Sequence, residues 1–93
     1  MRARAGVDVP FLSTVIRRSG KYYLRVYEES KAEIVKRLAG HDVEVDLTIR
    51  TRSGNRYMVK GKVKLYGQLV LIKLPVWAGR ALHGEPVEAL VSL

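Results

Sequence analysis

The chain contains no cysteine among its 93 residues, which excludes disulfides, thiolate metal sites and thiol nucleophiles together. Asparagine and glutamine occur once each, as Asn55 and Gln68, while Arg, Lys and Glu are abundant, a bias that fits a thermophilic, archaeal source. No run approaches the roughly 18 to 20 apolar residues of a membrane span, and Met1 to Pro10 has no signal-peptide apolar centre. A cytoplasmic protein without a membrane partner is therefore expected. Acidic residues are absent from Arg50 to Arg80.

That gap gives the net charge of +8 its shape. Met1 to Tyr27 carries +5, Glu28 to Ile49 carries −3, Arg50 to Arg80 carries +8, and Glu85 and Glu88 return −2. The excess is thus pooled in a central block and an N-terminal segment. A chain of this length supports one hydrophobic core and not two. Residues 1–12 are read as a flexible basic arm and 13–93 as a single domain.

Catalysis finds no constellation to rest on. His41 and His83 each stand beside a turn glycine, with no Cys and no dense carboxylate cluster to complete a metal site or a triad. Gly61 and Gly67 do not form a phosphate-cradling loop that opens a helix. The expectation is a non-enzymatic binding protein without cofactor or metal.

The order of elements reads as a duplication. Leu38-Ala39-Gly40-His41-Asp42-Val43-Glu44-Val45 aligns with Leu82-His83-Gly84-Glu85-Pro86-Val87-Glu88-Ala89, and upstream of each stands a glycine, Gly20 or Gly67, before an apolar strand. In the first half, Thr14 to Arg17 and Lys21 to Tyr27 read as strands. Ser30-Lys31-Ala32-Glu33 then fits a capping box that opens a helix with Ile34, Val35 and Leu38 on its apolar face and Gly40 as its stop. Val43, Val45, Leu47 and Ile49 alternate with polar residues as a half-buried strand does.

The second half repeats this order. Arg56 to Leu65 and Gln68 to Leu74 are strands, Pro75 opens a short helix that Gly79 weakens, and Val87 to Leu93 closes the chain. The fold class is mainly β with short helices. Two strand-strand-helix-strand repeats, about 13–50 and 56–93, form a small barrel of swapped-hairpin or double-psi type in which each half covers the other's edge.

The run Gly67-Gln68-Leu69-Val70-Leu71-Ile72-Lys73-Leu74-Pro75, a short helix, and Gly84-Glu85-Pro86-Val87-Glu88 resembles the AbrB/MazE/SpoVT family of swapped-hairpin DNA-binding domains. The strand before Pro75 is longer and the following helix shorter than the family pattern, and the first half has Val26-Tyr27 where the apolar-Pro pair would stand. The resemblance implies an interlaced barrel that binds DNA through basic residues, as a transcription regulator or an antitoxin.

Ile49 to Tyr57 joins the halves and is the most informative stretch. Arg52-Ser53-Gly54 suits a three-residue hairpin loop with Gly54 in the left-handed position. If Thr51 faces Asn55, Ile49 opposes Tyr57, Leu47 opposes Val59 and Val43 opposes Val63 on the buried side. On the other face Arg50 opposes Arg56, Thr48 opposes Met58, Asp46 opposes Lys60, and Glu44 opposes Lys62. Lys60 and Lys62 then gain acidic partners, whereas Arg50, Arg52 and Arg56 gain none.

Like charges that face one another lower stability unless an anion neutralises them. Same-face strand residues recur every ~6.6 Å, near the phosphate spacing of a nucleic-acid strand at roughly 6 to 7 Å, and a two-stranded ribbon can enter the major groove. The candidate nucleic-acid-binding residues are therefore Arg50, Arg52, Arg56, Lys60, Lys62 and Lys64, with Arg17 and Arg18, while Arg2 and Arg4 read more simply as a disordered tail than as an arm that follows a groove. DNA is favoured over RNA. An RNA-binding or ribosome-associated subunit is the alternative, as is a small adaptor for an acidic protein, and a homodimer is compatible. One of Tyr22 and Tyr23 should be exposed, since they point to opposite sides. Trp77 is read as a cap on the core.

Overall fold

Residues 5–93 are described by a computed structural model, so the expectations for Arg2 and Arg4 lie outside the described residues. The strands are β1 (Asp8–Arg18), β2 (Lys21–Arg25), β3 (Glu44–Thr51), β4 (Arg56–Tyr66), β5 (Leu69–Leu74) and β6 (Pro86–Ser92). Helix α1 (Glu29–Leu38) follows β2, and α2 (Val76–Leu82) follows β5. The strands close into a six-stranded barrel in the order β1-β2-β5-β4-β3-β6, and every neighbouring pair is antiparallel.

The two long strands make closure possible by changing partner along their length. β1 pairs with β6 over Asp8–Thr14 and with β2 over Val15–Arg18. In the same way β4 pairs with β3 from Arg56 to Lys62 and with β5 from Lys62 to Tyr66. Period-two alternation then sends one set of side chains inward: Val9, Phe11 and Val15 from β1, Val45, Leu47 and Ile49 from β3, Val59 and Val63 from β4, and Ile72 and Leu74 from β5. Gly61 falls at an inward position of β4 because a Cβ there would lie 2.6 Å from Ile72 Cγ2 and 2.8 Å from Leu47 Cδ1.

Three local expectations are corrected. Residues 8–12 are not part of an arm, because Asp8–Leu12 lies in β1, with Val9 and Phe11 in the core. Exposed Pro10 between them disguises the alternation, and it occupies a stretch that pairs on one side only, where a proline is tolerated. Helix α1 begins two residues earlier than a Ser30 cap requires. Glu28 takes the cap position without a side-chain hydrogen bond, its carboxylate pairing at 3.0 Å with Lys31. Acidic Glu29 in the first turn and Lys36 and Arg37 in the last complement the helix dipole. Of the expected apolar face only Val35 is buried, whereas Ile34 and Leu38 are exposed.

Candidate nucleic-acid interface

The β3–β4 hairpin forms as its alternation requires. Ile49 pairs with Tyr57, Leu47 with Val59, Thr48 with Met58, Asp46 with Lys60, Glu44 with Lys62, and Arg50 with Arg56. At the tip the Gly54 N–H donates to the Thr51 carbonyl at 3.0 Å and the Thr51 N–H to the Asn55 carbonyl at 2.9 Å, with Gly54 at φ +93°. Buried Thr51 ties the loop down, since its hydroxyl lies 2.9 Å from that of Ser53 and accepts the Asn55 N–H at 3.1 Å. A firm three-residue loop therefore carries Arg52.

Arg50, Arg52 and Arg56 are all exposed, and among the described residues none of them makes an ion pair. Arg50 does have an acidic neighbour that the hairpin alone does not reveal, because the other edge of β3 places Glu88 of β6 opposite it. That same pairing continues to Thr51 and Val87. The β3 side of the hairpin is thus held in the barrel wall almost to its tip, while β4 gains its second partner only from Lys62 onward, so the hairpin does not stand out as a free two-stranded ribbon of the kind that enters a major groove. An open cleft of about 480 Å³ lies beside the tip, lined by Arg50, Arg52, Leu12, Pro86 and Glu88 among others.

From the tip, the outward row of β4 runs Arg56, Met58, Lys60, Lys62, Lys64. One of the expected pairings along it differs. Glu44 reaches diagonally to Lys60 at 3.9 Å, while Lys62 is flanked on its second side by Lys73 of β5, a direct like-charge neighbour. Lys60, Lys62 and Lys73 line one shallow cleft with Pro75. Lys73 was not assignable from sequence, because the face of β5 is fixed only when the barrel closes.

Lys64 is removed from the free basic set. Its ammonium hydrogen-bonds to Asp42, which comes from the loop after α1. That bond is the chief reason the Asp42 carboxyl is held below its ordinary 3.8 and the Lys64 ammonium above its ordinary 10.5. The pair's contribution to stability is present between those ordinary values. It fades as pH falls through the lowered Asp42 value or rises through the raised Lys64 value, so at neutral pH both groups are charged. Asp42→Asn should free Lys64 for an anionic ligand. The expected result is a salt slope steeper by about 0.7 and, at ~0.1 M salt, affinity for a single-stranded oligonucleotide raised about fivefold, read by anisotropy titration.

The β1–β2 turn adds a third like-charge pair, Arg18 opposite Lys21. Arg17, opposite Tyr22, belongs to the alternate row, so the two neighbouring arginines do not act from one face. Neither Tyr22 nor Tyr23 is exposed. Tyr22 packs edge-on to His83 at 5.7 Å, and Tyr23, at 6% exposure, is covered on the outer surface, where it pairs with Lys73 of β5 and Ile16 of β1. Trp77 caps nothing: it is 58% exposed, with its ring 6.4 Å from that of Tyr57. His41 accepts the Leu65 N–H on Nδ1 at 3.0 Å, and no metal-holding group of His, Asp and Glu occurs among the described residues.

Compared with known proteins, the chain matches no family model, no curated protein and no solved structure, so its functional reading rests on its own residues.

Proposed function

We propose that this is a non-enzymatic nucleic-acid-binding protein that holds the sugar-phosphate backbone along a cationic track on the outside of its barrel. The observation that carries the reading is a set of three like-charge cross-strand pairs, Arg50 with Arg56, Lys62 with Lys73, and Arg18 with Lys21, none of which makes an ion pair among the described residues. Each pair lowers stability when alone, and each is relieved by a polyanion. Lys60, which Glu44 approaches at 3.9 Å, lies between the first two pairs on the same row of β4, so those two pairs follow one path.

The resemblance of residues 67–88 to swapped-hairpin DNA-binding domains supports the same reading and favours DNA, in the role of a transcription regulator. It also favours a duplicated half-barrel. The order strand-strand-helix-strand occurs twice, and β1 and β4 change partner in corresponding ways.

The test is a binding titration over salt with DNA, RNA and polyglutamate, and with molar mass measured alongside. About five phosphate contacts predict a log-log slope of roughly −3.5 on single strands and −4.5 on duplex. Binding that ignores salt, or no binding to either nucleic acid, overturns the proposal. Preference for polyglutamate is the signature of an adaptor for acidic proteins.

A further inference from the structure

We infer that Trp77 is a stacking platform for an unpaired base, and hence that the ligand of the cationic track is single-stranded. This rests on the nucleic-acid reading and adds to it the state of the strand.

Trp77 is the only tryptophan of the chain, and more than half of its surface faces solvent at the start of α2. A ring of that size is ordinarily drawn into the core, and here the core is closed without it. Among the described residues its one aromatic neighbour is half-buried Tyr57, whose ring centroid lies 6.4 Å from that of the indole at an interplanar angle of 42°. Tyr57 stands between Arg56, which faces Arg50 across the hairpin, and Met58, which is 76% exposed. Two residues before Trp77, Pro75 lines the cleft of Lys60, Lys62 and Lys73. The indole thus follows within two residues of the lysine cleft, while its neighbour Tyr57 belongs to the core-side row of β4 and Arg56 to the outward row.

Charge decides what kind of molecule can cover this ring. From Arg50 to Arg80, the segment that supplies Trp77, Tyr57 and the cations of β4 and β5, there is no acidic residue, and the acids that approach these cations from other strands include Glu44, 3.9 Å from Lys60, and Glu88, opposite Arg50. A partner must bring a planar apolar face and negative charge at short intervals, which describes a nucleotide strand. Every base has a π-face, so stacking on an indole tolerates any sequence, while the neighbouring cations follow the backbone. In a duplex those faces are already covered by adjacent pairs. The absence of a projecting ribbon for groove reading points the same way, since β3 remains paired with β6 up to Thr51.

The lone tryptophan makes the test direct. The whole chain is titrated with an oligothymidylate of about twelve nucleotides, an abasic strand of equal length, a matched duplex and inorganic polyphosphate, with indole fluorescence recorded throughout. Quenching by the oligothymidylate, with little change for the other three, is the expected result. In anisotropy assays Trp77→Ala should weaken the oligothymidylate about tenfold and leave the abasic strand unchanged, and Trp77→Phe should recover part of the loss. Circular dichroism melting establishes that each variant is folded. If the oligothymidylate binds without quenching, or if Trp77→Ala weakens abasic and normal strands alike, the stacking role is wrong and the nucleic-acid reading survives. If none of the four polyanions binds, both readings fall.

Discussion

Replacing Arg50, Arg52 and Arg56 together with alanine should lower affinity for a single-stranded oligonucleotide about a hundredfold at ~0.1 M salt and flatten the log-log salt slope by about two. Each phosphate contact on a single strand releases about 0.7 counterion, so three lost contacts account for both figures. The fold should not suffer. All three side chains are exposed, and the substitution removes the repulsion between Arg50 and Arg56 across the ladder, so the melting temperature should hold or rise slightly. A control isolates position from total charge. Lys31, Lys36 and Arg37 lie on α1, where Lys31 already pairs with Glu28 and Lys36 approaches Glu33 at 4.0 Å. Changing those three to alanine alters the net charge equally and should cost less than about threefold in affinity. Equal losses in the two variants would show that binding follows the overall field, and the hairpin would lose its claim to be the site.

The register of that hairpin was legible because two independent signals agreed. Alternation from Val43 to Ile49 and again along β4 fixes which face is buried, and Gly54 fixes the loop length, so one alignment satisfies both. What lay beyond reach depended on strands that meet only when the barrel closes. Glu88 is placed opposite Arg50 by the β3–β6 pairing, and Lys73 opposite Lys62 by the β4–β5 pairing, neither of which any local pattern encodes. Long side chains blurred a second level. Cross-strand register predicts neighbours but not partners, so Glu44 opposes Lys62 and yet reaches Lys60, and Lys64 finds Asp42 in a loop 22 residues away. Trp77 was misplaced for a different reason: α2 is short, and it seats itself through Ala78, Gly79 and Leu82, which leaves the indole outside.

That seating makes Gly79→Ala the most damaging single substitution expected in the molecule, against the sign of helix propensity. In an open helix the change would gain up to about 1 kcal/mol. Here an added Cβ would lie 2.1 Å from Cγ and 2.2 Å from Cβ of Tyr22, the inner end of a ring wedged between α2 and the barrel, and neither atom can swing away without moving β2. A loss of about 3 kcal/mol is expected, enough to lower the melting temperature of a domain this size by roughly 15 °C. Thermal and urea unfolding measure it. The cause is isolated by repeating the substitution in a Tyr22→Gly background, which removes the Cβ of residue 22 together with the ring, so that the intrinsic preference of Ala for helix should reappear as a neutral or stabilising change. A full 3 kcal/mol loss in that background would mean that the ring is not what excludes a side chain at Gly79. Because α2 also carries Trp77, the single variant should weaken oligothymidylate binding with little effect on the abasic strand even at temperatures where it remains folded. Tyr22 would thereby be a positioning residue for the stacking platform as well as a packing residue of the barrel.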